Sequence, residues 1–284
     1  MEKLSDQEHW NDVHRGAERA DAAHYWGARA LKRRVARWLP DDFVSAVSNY
    51  REHVLWKHYY GPHMPRGGDK RVIEIGSAPG THLVRLHQAF GLSPYGLEYS
   101  PNGAALNREM FERNGIPPAQ VIEADFFSSP FLEAHEATFD AVVSRGFIEH
   151  FDDVADVVDR HVRLLKPGGT LAILIPNFGG WLNQRLCSFF CPEQLPMHNL
   201  TIMQPDAFGA LFDRPDLVQL ELGLVGRFDF GLVSTKSAAK KPLLKLLHKG
   251  VQPVLNLAYA QLPVGLLEGG GHSMSFVYMG RRRL

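Results

Sequence analysis

Two histidines and a few acids carry the side chains with which this sequence could do chemistry. His150 stands in Gly146-Phe147-Ile148-Glu149-His150-Phe151, and His198 in Leu195-Pro196-Met197-His198-Asn199-Leu200. Histidine changes charge near neutrality, so either can take a proton from an acceptor hydroxyl. Either can equally serve as a capping or packing residue. Glu149 orients His150 or caps a turn. Arg145 contacts a bound group or forms a surface ion pair. Glu98 and Asp125 follow short apolar runs, and Glu74 lies within another. After Glu74 comes Gly76-Ser77-Ala78-Pro79-Gly80, whose glycines let a backbone turn sharply and approach a ligand closely.

The elements that must hold these residues follow from hydrophobic periodicity. From Arg71 onward, short apolar strands alternate with amphipathic helices. Strands are predicted at Val72–Ile75, Pro94–Glu98, Gln120–Ala124, Phe139–Ser144 and Thr170–Ile175. Helices are predicted at Thr81–Phe90, from Ser100-Pro101 to Asn114-Gly115, and from a cap at Asp152 or Asp153 to Leu165. Lys166-Pro167-Gly168-Gly169 turns the chain into the fifth strand. This alternation means a parallel sheet covered on both faces. After Pro176 it lapses: 177–204 reads as irregular and aromatic. Two late strands are predicted at Leu217–Val225 and Ser273–Met279, with a helical region, Lys240–Leu267, between them. The first 65 residues read as helical, with Ala28, Leu31, Val35 and Leu39 at helical spacing and an aromatic stretch from Phe43 to Tyr60.

In such a sheet, ligands bind at the carboxyl ends of the strands. The loop at Gly76 lacks the Gly-Lys-Ser/Thr ending of a phosphate-binding loop and the G-x-G-x-x-G spacing of a nicotinamide site. It resembles motif I of the class I (Rossmann-like) S-adenosylmethionine-dependent methyltransferases, acidic-x-Gly-x-Gly-x-Gly, with Ala78 in place of the middle glycine. Further segments resemble the same family in order: Tyr95-Gly96-Leu97-Glu98-Tyr99-Ser100, Glu123-Ala124-Asp125-Phe126-Phe127, Phe139 to Phe151, and Leu164-Leu165-Lys166-Pro167-Gly168-Gly169. The resemblance covers roughly residues 71 to 178 and, more weakly, the last strand. It implies a seven-stranded, mostly parallel sheet of order 3-2-1-4-5-7-6 with helices on both faces. It also implies that Glu74, Gly76, Ser77, Ala78, Gly80, Glu98, Tyr99, Asp125, Phe126 and Arg145 hold S-adenosyl-L-methionine and its product S-adenosyl-L-homocysteine. In that scheme Glu98 accepts the ribose hydroxyls, Asp125 the adenine amino group, and Phe126 covers the ring.

Composition narrows the class. Hydrophobic residues make up 45% of the 284, enough for a globular core. The formal net charge is zero, with 31 basic and 31 acidic residues, so no overall field draws nucleic acid. The only cysteines, Cys187 and Cys191, form no metal-binding pair and read as small apolar residues near a lid. Glu149, His150, Asp152 and Asp153 lie close in sequence, but a helix cap accounts for them, and no metal is expected. No secretory signal or membrane-length apolar run is read, which gives a cytoplasmic expectation. The basic, amphipathic run 240–249 is compatible with peripheral membrane contact, although a solvated helix face is the commoner outcome.

The expected organisation is a helical extension or lid at 1–65 and a Rossmann-like domain at 66–284. The latter carries an acceptor-pocket insertion at 177–213 and a helical insertion at 236–270. The expected function is methyl transfer to a small-molecule hydroxyl on a sugar, glycan precursor or secondary metabolite, with His150 or His198 as base. The alternatives are an N-methyltransferase and a cofactor-binding protein of this fold without methyl transfer. A monomer or homodimer is compatible with the sequence.

Overall fold

A computed structural model describes residues 3, 4, 10, 11 and 41–284. The helical pattern at Ala28–Leu39, with Trp26 and Trp38, lies outside the described residues.

Seven strands form one sheet: β1 (Arg71–Ile75), β2 (Ser93–Glu98), β3 (Val121–Glu123), β4 (Phe139–Arg145), β5 (Leu165–Pro176), β6 (Leu217–Val225) and β7 (Ser275–Arg282). Their order is β3-β2-β1-β4-β5-β7-β6. The pairs from β3 through β5 are parallel, and β7 is antiparallel to both β5 and β6. The central strands are apolar without alternation because both faces are covered. Ile73, Ile75, Val142 and Ile173 point into one core, and Val72, Val143, Ala172 and Leu174 into the other. Each fully buried side chain of this kind contributes on the order of 1.5–3 kcal/mol.

Local signals set the helix boundaries. Thr81–Phe90 ends at Gly91, which takes the left-handed conformation that L side chains avoid. Pro101–Arg113 is capped by Ser100, whose Oγ accepts from the Gly103 N–H at 3.2 Å. Asp153, not Asp152, caps Val154–Leu164: its Oδ1 accepts from the Asp156 N–H at 3.2 Å. The Lys-Pro-Gly-Gly turn lies within β5, which starts at Leu165, and pairing with β4 slips between Phe139 and Ala141 as the turn passes.

Segment 177–204 departs from the irregular structure expected of it. Trp181–Phe190 is a helix, followed by 3₁₀ turns at Pro192–Met197 and Leu200–Ile202. Asn183, Cys187 and Phe190 face inward at helical spacing. Three inward positions, two of them polar or small, give too faint an apolar stripe to announce the helix. The Cys187 and Cys191 sulfurs lie 3.2 Å apart and buried. At the amino-terminal side, helices Asp41–Ser48 and Tyr50–Val54 run into a wide turn at Leu55–Tyr60. Tyr50, Val54, Leu55 and Tyr60 bury themselves on the face that holds Val225, Val277 and Met279.

Candidate active site

Parallel pairing lines up the carboxyl ends of β3, β2, β1 and β4, and a pocket opens above them. Of the residues singled out in the sequence, Gly76, Ala78, Glu98, Tyr99, Asp125, Phe126, Arg145 and His150 line it. Glu98 stands at the end of β2, with Oε2 accepting from the Ala78 N–H at 3.2 Å and Oε1 from the Ser100 N–H at 2.9 Å. Those two bonds fix the carboxylate, and each oxygen keeps acceptor capacity. At the end of β3, Asp125 Oδ1 accepts from the Phe127 N–H at 3.0 Å. Its Oδ2 accepts from the Lys3 ammonium at 3.0 Å. Phe126 is buried and meets Phe147 edge to face, with ring centroids 5.4 Å apart.

The loop explains why alanine serves at position 78. Gly76 and Gly80 have φ of +70° and +93°, a region open to glycine, whereas Ala78 is not among the residues with positive φ. Space adds to the demand: a Cβ at Gly80 would lie 2.2 Å from Asn107 Oδ1. Gly80, Ser77 and Glu74 do not line the pocket. Ser77 Oγ accepts from Asn107 Nδ2 at 2.5 Å, and buried Glu74 pairs through Oε1 with His82 Nδ1 at 2.8 Å. Ser77 thus ties the loop to Asn107, and Gly80 passes close to the same residue.

Arg145, at the end of β4, pairs with Glu52 from the amino-terminal helices. Glu52 also accepts from Trp56 Nε1 at 3.1 Å and from Arg85 and Arg51 at 3.4 Å each. Burial works to raise this carboxyl, but the Arg145 and Arg51 guanidiniums and the Trp56 N–H outweigh it and hold it at about 2. The pair is largely buried, so it is not the surface ion pair that was the alternative for Arg145, and the residue lines the pocket.

His150 lines the same pocket. Its Nδ1 donates to the Met197 carbonyl at 2.8 Å, since a carbonyl can only accept. In the neutral ring Nε2 then carries the lone pair. His198 is arranged likewise, with Nδ1 donating to the Gln194 carbonyl at 2.7 Å, and the two rings lie 4.6 Å apart. His198 does not line the pocket; it backs His150. Glu149 is fully buried, and neither carboxyl oxygen has a hydrogen-bond partner among the described residues. Met197, not Glu149, fixes the His150 tautomer. Burial pushes the Glu149 carboxyl up to about 8, so near neutrality it offers a proton rather than a charge. One ligand atom from each of Glu149, His150 and His198 lies within 4.8 Å of the others. That spacing would suit a divalent ion.

Lys3, Trp10 and Glu52 were not singled out in the sequence. The Lys3 ammonium lies 4.4 Å over the Tyr99 ring, and the Trp10 ring meets His150 edge-on at 5.1 Å. No motif marks them, because each reaches the site through the fold alone.

Comparison with known proteins agrees with this geometry. Residues 73–173 match the family model described as methyltransferase domain. This segment is a methyltransferase domain. The methyltransferase domain and its sheet order are those of the class I, Rossmann-like type. A demethylmenaquinone methyltransferase of Geobacillus sp. (strain WCH70) is 23% identical over 135 residues, 47% of this chain and 56% of that protein. An uncharacterized methyltransferase of Mycobacterium bovis is 30% identical over 107 residues, 38% of this chain and 51% of that protein. The chain thus spans little more than half the length of these relatives. Among solved structures, geranyl diphosphate C-methyltransferase from Streptomyces coelicolor A3(2) aligns with a TM-score of 0.52 at 14% identity, over 81% of this chain and 77% of that one. The [4+2]-cyclase SpnF aligns with a TM-score of 0.50 at 15% identity, over 79% and 78%. At these identities the structures share the methyltransferase domain's fold and nothing more is taken from them.

Proposed function

We propose that this chain transfers a methyl group from S-adenosylmethionine to a hydroxyl of a small molecule (a sugar, glycan precursor or secondary metabolite), with His150 taking the acceptor's proton. The observation that carries this reading is that Glu98 and Asp125, at adjacent strand ends, line one pocket together with the Gly76 loop and His150. The donor set fits an adenosyl group. Glu98 keeps acceptor capacity for two ribose hydroxyls, which a charged acceptor binds more strongly than a neutral one. Asp125 Oδ2, which holds an ammonium, is an acceptor suited to the adenine amine. Tyr99 and Phe126 supply apolar walls for the ring. Gly76 and Ala78 bring backbone close to the ligand, and Ser77 ties that loop to Asn107. Arg145 borders the same pocket.

Bound S-adenosylmethionine supplies an electrophilic methyl carbon on a sulfonium and leaves as S-adenosylhomocysteine. The chain's own part is orientation and proton removal. His150 Nε2 receives the hydroxyl proton, Met197 holds the ring in the required tautomer, and His198 and buried Glu149 stand beside it. The names of the relatives add demethylmenaquinone and geranyl diphosphate to the acceptors worth screening. SpnF, a cyclase with this fold, makes cofactor binding without methyl transfer the second reading.

Calorimetry with S-adenosylhomocysteine, followed by mass spectrometry of acceptor panels with and without chelator, tests the proposal. Micromolar binding and a product heavier by one methyl group on oxygen are expected, with chelator making no difference. No binding to folded protein at millimolar ligand removes the cofactor assignment. Binding with no methylated product favours the second reading. Full turnover by both His150→Ala and His198→Ala would discard the histidine base and favour a nitrogen acceptor.

A further inference from the structure

The second helix of the segment between β6 and β7 is built inside out. The segment comprises helix Lys241–Leu246, a wide turn at Leu247–Val251 and helix Gln252–Tyr259, followed by a loop. A surface helix in water turns its apolar stripe to the core and its polar residues outward. Here Gln252 and Asn256 point inward and are buried. Gln252 Oε1 accepts from the Phe230 N–H at 2.9 Å, and its Nε2 donates to Asn256 Oδ1 at 2.9 Å. Leu243, Leu246, Val254, Leu257, Leu266 and Leu267 point outward, 45% to 66% exposed. Eight of the thirteen exposed large hydrophobic residues among those described fall between 243 and 267, so the exposure is a patch and not scatter.

Charge identifies what covers the patch. Between 236 and 267 the sequence has five lysines (236, 240, 241, 245 and 249) and no Asp, Glu or Arg, in a chain with no formal net charge. The Lys240 ammonium lies 4.6 Å over the Phe189 ring, which is itself half exposed, so the face extends onto the neighbouring helix. A second copy of this chain docked face to face would set five positive charges against five. Exposed apolar side chains adjoining a run of lysines match the acyl boundary and phosphate layer of an anionic bilayer. No helix among the described residues is long and apolar enough to cross a membrane, so the fit is to lying on it.

We propose that this face seats the protein on anionic lipid membranes. The lysines attract the headgroups, and the outward leucines and valines enter the acyl boundary. The inverted polarity of Gln252 and Asn256 is then the ordinary amphipathic arrangement, read from the membrane side.

Flotation of the full-length chain with vesicles tests this independently of any methyl transfer. An equimolar mixture of phosphatidylglycerol and phosphatidylcholine is compared with phosphatidylcholine alone. Binding to the anionic vesicles, weakened by salt and at least tenfold poorer on phosphatidylcholine, is expected. Lys241→Ala together with Lys245→Ala should lower partitioning roughly thirtyfold, at ~1 kcal/mol for each lysine at the surface. Leu246→Glu with Val254→Glu should abolish it. Because these side chains are exposed, melting temperature should not change, and a fluorophore on Leu246→Cys gives a second readout by shifting to the blue on vesicles. No binding to anionic vesicles would overturn the proposal. So would binding that all these variants leave intact. A concentration-dependent dimer dissolved by Leu246→Glu, with no vesicle binding, would assign the face to a second copy instead.

Discussion

Glu149 offers a quantitative test of the site that needs no substrate. Its carboxyl is fully buried without a hydrogen-bond partner among the described residues, and burial moves it from an ordinary 4.5 to about 8. The folded protein therefore keeps a proton that the unfolded chain releases. Below about pH 4.5 both states are protonated and the associated stability is fully present. Between about pH 4.5 and about pH 8 only the unfolded state ionises, and stability falls by about 1.4 kcal/mol for each pH unit. Above about pH 8 it is lost. The swing is roughly 5 kcal/mol at most, because water entry or side-chain rearrangement around the anion would reduce it. Glu149→Gln keeps the shape and removes the titration. Urea unfolding of both proteins is followed by tryptophan fluorescence across this range. The difference in unfolding free energy should grow in favour of the Glu149→Gln variant as pH rises. Other groups cancel in that difference. A flat difference curve between about pH 5 and about pH 8 would refute the assignment of a neutral, buried carboxyl.

Three further outcomes follow from the same geometry. Glu98→Ala should weaken binding of S-adenosylhomocysteine by roughly 10²- to 10⁴-fold in calorimetry, since two hydrogen bonds to a charged acceptor are worth about 1.5–3 kcal/mol each; affinity within threefold of the parent would contradict the ribose role. His150→Ala should lower kcat by about 10²- to 10⁴-fold while leaving cofactor affinity nearly unchanged, the separation expected of a base that binds nothing in the ground state. Glu52→Ala strands Arg145 beside Arg51 in a largely buried setting and should destabilise the fold by about 3 kcal/mol, less for the residual exposure of the pair, in a denaturant titration.

The cofactor half of the site was legible in the sequence because it is built from local patterns. Each strand end is announced by an apolar run and a polar stop, and the helix after it by its own cap, as Ser100-Pro101 and Asp153 show. Parallel pairing then brings Gly76, Glu98 and Asp125 to one edge without further information. Glu74 and Ser77 show the limit of that reading: motif position places them at the loop, but which way each side chain faces depends on His82 and Asn107, contributed by helices. The helix Trp181–Phe190 was illegible for a related reason. Its inward face is Asn183, Cys187 and Phe190, and Asn183 is satisfied by the carbonyls of Asn177 and Ser273, a tertiary arrangement with no periodic trace.

Arg145 and His150 obey a different logic. Arg145 is clamped by Glu52, 93 residues earlier, and His150 is aimed by the Met197 carbonyl, 47 residues later. Neither partner belongs to the strand-end pattern that carries Glu98 and Asp125, so neither could be read from it. A carbonyl fixes the His150 tautomer regardless of the side chain at position 197, so what matters there is the path of the backbone, held by the Asn199 N–H donating to the Glu149 carbonyl at 2.7 Å. Asn199 Nδ2 adds a second tie, to the Phe151 carbonyl at 3.1 Å. Acceptor choice should therefore respond to the 195–200 segment and to Glu52 more than to the residues at the strand ends.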